Sequence, residues 1–338
     1  MIKSNFYIIY KNVLILFFDT LSRAHFHRKF QKTIKFLSKF SKYETNSTKK
    51  PMNIFEFFKY HSINTFTDPN IKAAYYGTIS NKEKGIHFAN YFKKCGYIIG
   101  RVNTYCEKEV VLNEKKNYMH TIWDHEGLSL GCINAFYNGV LITKKYSMIK
   151  KCLFGKQLFE YALDYLSSFW NAYYNQKKLF LFQSLDSHEP TGELIGHLDD
   201  IFYSFLKKFY SKGLLKDTAI LFFSDHGQHL NGPLYLTKSE DYQIERTFPL
   251  FLLIIPNYEN LYKKNIYESI KINQQTFVTP FDIYNTLIYL VFDGDNNLYK
   301  KYSSKYGNTL FKNINYKTRF CESKLYGNQI GWCNCKSK

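Results

Sequence analysis

Residues 13–26 read VLILFFDTLSRAHF. An unbroken apolar run from Val13 to Phe18, without polar alternation, has the pattern of a strand buried on both faces, as in the centre of a parallel sheet. The run stops on an acid, Asp19, followed by two hydroxyl residues, Thr20 and Ser22, and the basic Arg23. Open α/β sheets place their ligand sites at the carboxyl ends of such strands. Asp, Thr or Ser in that position also serves simply as the N-cap of the helix that follows. Whether Asp19 caps or binds is decided by the rest of the chain.

Working outward, Phe26, Phe30, Ile34 and Leu37 recur at helical spacing and predict one amphipathic helix. A polar loop is expected over Ser41–Asn53. FTDPNIKAAYYGT (residues 66–78) predicts a helix with Thr67 as N-cap and Pro69 in the first turn, where a missing N–H is harmless. Another helix is read around Glu83–Lys94, leading to the strand YIIGRV (97–102). KLFLFQSLD (178–186) and TAILFFSDHG (218–227) are further buried strands, and FPLFLLIIP (248–256) is a fourth of the same kind. One helix is expected from about Leu194 to Tyr210, and TPFDIYNTLIYLVF (279–292) forms another. Alternating strands and amphipathic helices predict an α/β fold with a mostly parallel central sheet covered on both faces. Residues 1–295 form the core domain in this reading. The more polar segment 296–338 is a small cysteine-containing appendage packed on it.

Apolar runs thus end on Asp19, Asp186 and Asp225. Carboxylates gathered at one sheet edge repel unless protonated or neutralised, and a divalent cation is the usual remedy. His226 directly after Asp225 adds an imidazole. Mixed carboxylate and imidazole donors suit zinc, manganese or magnesium. A metal site therefore explains Asp19 better than capping does.

Composition narrows the partners. The 338 residues carry a formal net charge of +18, with 19% aromatic residues. The lysines are scattered in pairs such as Lys49-Lys50 and Lys300-Lys301, without an Arg-rich helix or a long basic run. Nucleic acid is not the expected partner, although a basic surface draws anionic substrates inward. No transmembrane helix is legible, because Lys11 and Asn12 interrupt the N-terminal apolar stretch. No signal-peptide pattern appears either, and a core strand starting so near Met1 points to an incomplete N-terminus. Cys321, Cys333 and Cys335 lack a clear fourth ligand for zinc, so disulfides in an oxidising compartment are expected.

The segments ILFFDTLSRAHFHRKFQKTIKFL, NTFTDPNIKAAYYG, GYIIGRVNTYC, FQSLDSHEPTG, LFFSDHG, ERTFPLFLLIIP and VTPFDIYNTLIYL, in that order, resemble the alkaline phosphatase and sulfatase superfamily. The resemblance is closest to an uncharacterised extracellular branch, a domain of unknown function whose members end in a similar R-F-C … W-C-N-C tail. It implies an extracellular or secretory-lumen protein. It also implies that Asp19, Asp225 and His226 bind one metal together with a nucleophile, for which Thr67 is the matching position and Thr65 the fallback. Zinc is the metal implied, with manganese, magnesium or calcium as alternatives. The T-D-P-N element is similar to the T-F-P-N of nucleotide phosphodiesterases. Sulfatases of the superfamily instead convert a cysteine or serine in C/S-x-P-x-R to formylglycine, and threonine cannot give that aldehyde. Phosphate-ester chemistry is thus favoured over sulfate-ester chemistry.

The match weakens at a second metal, because no histidine follows His229. Asp186, His188, His197 and His229 are the candidates for a second ion or a phosphate contact. SHEP (187–190) resembles the S-H-x-P of phosphoethanolamine and glycerol-phosphate transferases. Two functions of different class follow. One is a metal-dependent hydrolase or transferase of phosphate esters, its anionic substrate a glycan, a lipid head group or a nucleotide. The other is an extracellular binding protein that keeps the fold with part of the metal shell lost. A sulfuric ester hydrolase is a third reading.

Overall fold

The computed structural model describes residues 10–41, 52–80, 85–105, 118–119, 123–127, 152–229, 240–257 and 265–320. In chain order the elements are β1 (Asn12–Phe18), α1 (Arg23–Lys29), α2 (Gln31–Ser41), β2 (Met52–Glu56), α3 (Thr67–Tyr76), β3 (Gly85–Ile86), α4 (Phe88–Lys94), β4 (Ile98–Asn103), β5 (Tyr118–Met119), β6 (His125–Gly127), β7 (Cys152–Leu153), β8 (Lys156–Gln157), α5 (Leu158–Ala172), β9 (Lys178–Ser184), a 3-10 turn (Leu194–Leu198), α6 (Asp199–Ser211), β10 (Thr218–Phe223), α7 (Glu240–Thr247), β11 (Phe251–Pro256), α8 (Ile266–Asn273), α9 (Pro280–Val291) and α10 (Asn296–Tyr302).

β1 lies at the centre of a seven-stranded sheet of order β2-β11-β10-β1-β9-β4-β6. It runs parallel to β10 and β9, and β9, β4 and β6 continue in parallel. Only β11 is reversed, pairing antiparallel with both β10 and β2. The alternation of β1 side chains shows why the run has no polar positions. Leu14, Leu16 and Phe18 face an apolar layer made with α1, α2, α5 and α6. Val13, Ile15 and Phe17 face a second layer made with α3, α4, α8 and α9. Both faces of the sheet are dry, so both sets of alternate residues must be apolar. Phe18 anchors the first layer, with ring centroids of Phe222, Phe202 and Phe159 at 5.0, 5.6 and 5.8 Å.

Several local expectations change. The helix expected through Phe26 and Leu37 is two helices that part at Phe30 (φ −105°, ψ 51°). The break is held from outside, because the Asp199 carboxylate accepts from Lys32 N–H (2.7 Å) and Thr33 N–H (2.9 Å) and so caps α2 across the fold. The expected 194–210 helix is the 3-10 turn followed by α6. The expected loop over 41–53 gives way at Met52 to β2, an edge strand with a weak burial pattern. The helix read from Glu83 begins at Phe88, with His87 as its cap.

Beyond α10, Leu310, Phe311 and Ile314 are buried in the same apolar layer as the sheet. Asn273 fixes them, donating to Leu310 O (3.0 Å) and Lys312 O (2.8 Å) and accepting from Ile314 N–H (3.0 Å). The expected disulfides of Cys321, Cys333 and Cys335 lie outside the described residues. Among the described residues no helix is long and apolar enough to cross a membrane.

Candidate active site

The adjacent strands β1 and β10 deliver Asp19 and Asp225 to one edge of the sheet. Asp19 is fixed through its backbone, its N–H donating to Ser184 O (2.9 Å) and its carbonyl accepting from the Ser187 hydroxyl. The chain then turns through Thr20 at φ +59°, a left-handed conformation that a β-branched residue adopts only under strain. That turn aims two successive amides at the next strand: Thr20 N–H at Asp225 Oδ1 (3.1 Å) and Leu21 N–H at Ser224 Oγ (2.8 Å). Oδ1 of Asp225 is thereby occupied. Oδ2 is buried and has no hydrogen-bond partner.

His226 completes the group. Its Nδ1 lies 2.8 Å from Gly227 O, and since a carbonyl can only accept, the ring proton sits on Nδ1. Nε2 points at Asp225 Oδ2 (3.2 Å) and Asp19 Oδ1 (4.0 Å), the two carboxylates that any ion or proton bound at this nitrogen would meet. The glycine of the SDHG element is a packing requirement, because a Cβ on Gly227 would lie 1.9 Å from Glu245 O.

Two buried carboxylates brought this close repel unless positive charge beside them, on the imidazole or as a bound cation, offsets it. One donor atom from each of Asp19, Asp225 and His226 falls within 4.8 Å of the others, and all three residues are buried. Two carboxylates and an imidazole in so small a volume fit a divalent ion such as zinc or manganese.

Thr67 enters from α3. The N-cap is Phe66 in extended conformation, and no side chain caps this helix end. Thr67 is the first helical residue, so its hydroxyl is not spent on capping. Instead Oγ1 lies 3.2 Å from His226 Nε2 and 3.5 Å from Asp19 Oδ1. The approach to this position is set by Asn70, a residue the sequence pattern displays without assigning it a task. Its Oδ1 accepts from Ile63 N–H (2.8 Å), and its Nδ2 donates to Asn64 O (2.7 Å) and Phe66 O (2.9 Å). A fully buried amide thus folds the chain back ahead of the helix and holds Thr67 in register. The first amides of α3 have no intrahelical acceptor and face an anion-favouring end of the helix.

The other candidates are placed as follows. The Asp186 carboxylate accepts from Ser184 Oγ (2.6 Å) and Thr104 Oγ1 (2.9 Å), ties that join the ends of β9 and β4. The His229 ring lies 4.6 Å from that of His226 and 5.2 Å from that of His188, so three imidazoles run in a row away from Asp225. His197 is exposed on the 3-10 turn, and Thr65 is buried. Gln228 links the two histidine loops, donating to Glu189 O and accepting from His229 N–H (3.1 Å). Glu189 is itself fully buried, its carboxylate closing the 189–194 turn on Thr191 and Leu194 amides. Neither residue has a sequence signal beyond its place inside SHEP and SDHGQH.

No curated protein matches the sequence. Solved structures share the architecture, three of them as follows. The C-terminal periplasmic domain of EcEptC from Escherichia coli, in complex with Zn, is similar at 13% identity with a TM-score of 0.59, over 97% of this chain and 98% of that one. The lipooligosaccharide phosphoethanolamine transferase A from Neisseria meningitidis is similar at 13% identity and TM-score 0.54, over 84% of this chain, which spans 55% of the length of that integral membrane protein. The lipoteichoic acid synthase LtaP from Listeria monocytogenes is similar at 14% identity and TM-score 0.53, over 94% of this chain and 80% of that one. The fold is that of the alkaline phosphatase superfamily. A family model described as "Protein of unknown function (DUF229)" matches residues 131–338, more than half of the chain, and the chain belongs to that family.

Proposed function

We propose that this protein is a metal-dependent hydrolase or transferase of phosphate esters, with Thr67 as the nucleophile. The observation that carries the reading is the Thr67 hydroxyl, uncommitted to its helix and held between His226 Nε2 and Asp19 Oδ1. Asp19, Asp225 and His226 would hold a divalent ion, zinc first among the candidates, whose bound form supplies Lewis acidity and favours the deprotonated hydroxyl.

The chain's own groups then have separate tasks. Thr67 Oγ1 gives its proton to solvent and forms a bond to phosphorus, while the bond to the leaving oxygen breaks on the opposite face and that oxygen departs with the bonding pair. The open amides at the start of α3 stabilise charge on the transferred group. Water, or an acceptor hydroxyl, takes the group from threonine in a second displacement. The left-handed turn at Thr20 and the Asn70 clamp keep the acids and the hydroxyl in place without rearrangement. Substrates of this class are anionic esters: glycan phosphates, lipid head groups or nucleotides. The oxidising compartment expected from the cysteine tail, and the periplasmic setting of the similar EcEptC domain, favour an extracytoplasmic site of action.

The test is turnover of aryl phosphate monoester, phosphodiester and sulfate substrates with zinc, manganese, magnesium or calcium, beside Thr67→Ala. Metal-dependent release from a phosphate ester should fall by about a thousandfold or more in the variant, as expected for loss of a covalent nucleophile. Equal turnover by both proteins, or inertness of both while folded and metal-loaded, rejects the reading. Cleavage of the sulfate ester alone would move the chain to the sulfatase class.

A further inference from the structure

We infer that Phe66 selects the organic group of the ester, and that the site takes phosphodiesters whose retained substituent is flat or apolar; this rests on the reading of Thr67 as nucleophile. Phe66 directly precedes Thr67 and leaves 61% of its surface exposed. The exposure does not come from a loose backbone. Its N–H donates to Asn64 Oδ1 (3.2 Å) and its carbonyl accepts from Asn70 Nδ2 (2.9 Å), in an ordinary extended conformation.

One ring contact ties Phe66 to the histidines of the site. The Phe66 ring stands edge-on to His229 (centroids 6.4 Å apart, planes at 79°), and the His229 ring lies 4.6 Å from that of His226. His226 Nε2 is 3.2 Å from Thr67 Oγ1, which returns to Phe66 through the chain. A group bonded to Thr67 Oγ1 therefore meets the His226 imidazole, with the ring of the preceding residue exposed on the side where His229 stands. A large apolar ring left exposed beside a reactive hydroxyl offers a ligand an apolar face.

Direction follows from the chemistry. In-line displacement sends the leaving group to the side away from Thr67, so a ring adjoining Thr67 contacts the substituent that stays on phosphorus. A monoester has no such substituent and gains nothing from Phe66. A diester with a phenyl, nucleobase-like or acyl-bearing substituent does.

Two substrates with one leaving group isolate the effect: p-nitrophenyl phenyl phosphate and p-nitrophenyl methyl phosphate. The wild type should favour the phenyl diester in kcat/KM. Phe66→Ala should lower the phenyl-to-methyl ratio by about threefold to tenfold, the range of aromatic pair interactions, and Phe66→Tyr should keep it. Calorimetric binding of phenylphosphonate and methylphosphonate to the metal-loaded proteins supplies the same ratio without turnover. A ratio unchanged by Phe66→Ala overturns the inference and leaves the Thr67 reading intact. A phenylphosphonate preference that Phe66→Ala removes, in a protein that turns over no ester, supports the platform and overturns the nucleophile. Failure to bind either phosphonate overturns both.

Discussion

Asp225 and Asp282 are both fully buried acids placed by their secondary structure, and they differ in what meets their oxygens. Asp282, at the third position of α9, uses both. Oδ2 accepts from Thr279 N–H (2.7 Å) and Thr279 Oγ1 (3.1 Å), and Oδ1 accepts from Asn308 N–H (2.7 Å) and the Arg319 guanidinium. Asp225 has one oxygen on the Thr20 amide and the other without a hydrogen bond, facing only His226 Nε2 at 3.2 Å. A satisfied buried carboxylate is a fastener. A half-satisfied one, next to a second acid, has the form of a socket for a positive partner.

The fastener is where the largest stability effect is expected. Arg319 is 4% exposed and reaches from the end of the described chain to the first turn of α9. Removing one member of a buried pair strands the other's charge, so Arg319→Met should lower unfolding free energy by about 3 kcal/mol in urea denaturation. Asp282→Ala should cost still more, since it also opens the Thr279 capping box. A loss below about 0.5 kcal/mol for Arg319→Met, the scale of an exposed pair, would show that this contact does not fasten the C-terminal segment.

The same contrast recurs between two imidazoles. His61 and His226 each donate Nδ1–H to the carbonyl of the next residue, at 2.6 Å to Ser62 O and 2.8 Å to Gly227 O. The surroundings of the rings differ. His61 packs between Phe248 (5.1 Å) and Phe277 (5.4 Å), and burial lowers its pKa to about 4. Below about pH 6.5 the unfolded chain takes a proton that the folded one refuses until about pH 4. Stability should therefore fall as pH drops through that window, by up to about 3 kcal/mol from this residue. Urea titrations of the wild type and His61→Asn at pH 7 and pH 4.5 check it: the variant should show the smaller fall. Parallel curves would place the acid sensitivity elsewhere.

How much of this was readable in advance depends on range. β1, β9 and β10 were legible because burial on both faces leaves an unmistakable apolar run, and the acids at their ends were legible because a charge ends such a run. The reversal of β11 was not, since an apolar strand reads alike in either direction and its orientation is set by pairing with β10 and β2. The break at Phe30 was hidden because its cap, Asp199, is distant in sequence. Thr67 was ambiguous for a local reason: a capping threonine and a nucleophilic one have the same neighbours. The placement of Phe66 as N-cap, one residue earlier, shows that the hydroxyl does not cap. The ties of Asp186 depend on Thr104 at the end of another strand, which no spacing rule reaches.

The smallest effect is the sharpest test of the socket. Asp225→Asn keeps an acceptor for the Thr20 amide and places an N–H donor where Oδ2 now faces His226 Nε2 at 3.2 Å, a hydrogen bond that the neutral imidazole can accept. It also removes one of two like charges beside Asp19. The metal-free variant should therefore be more stable than the metal-free wild type by about 1 kcal/mol, the net value of one hydrogen bond gained. Zinc or manganese should raise the melting temperature of the wild type and leave the variant unmoved, because a ligand stabilises only the form that binds it. A variant less stable than the metal-free wild type would mean that Asp225 and His226 form an ion pair complete in itself. The site would then be a second fastener, and the case for a cation between Asp19, Asp225 and His226 would fall with it.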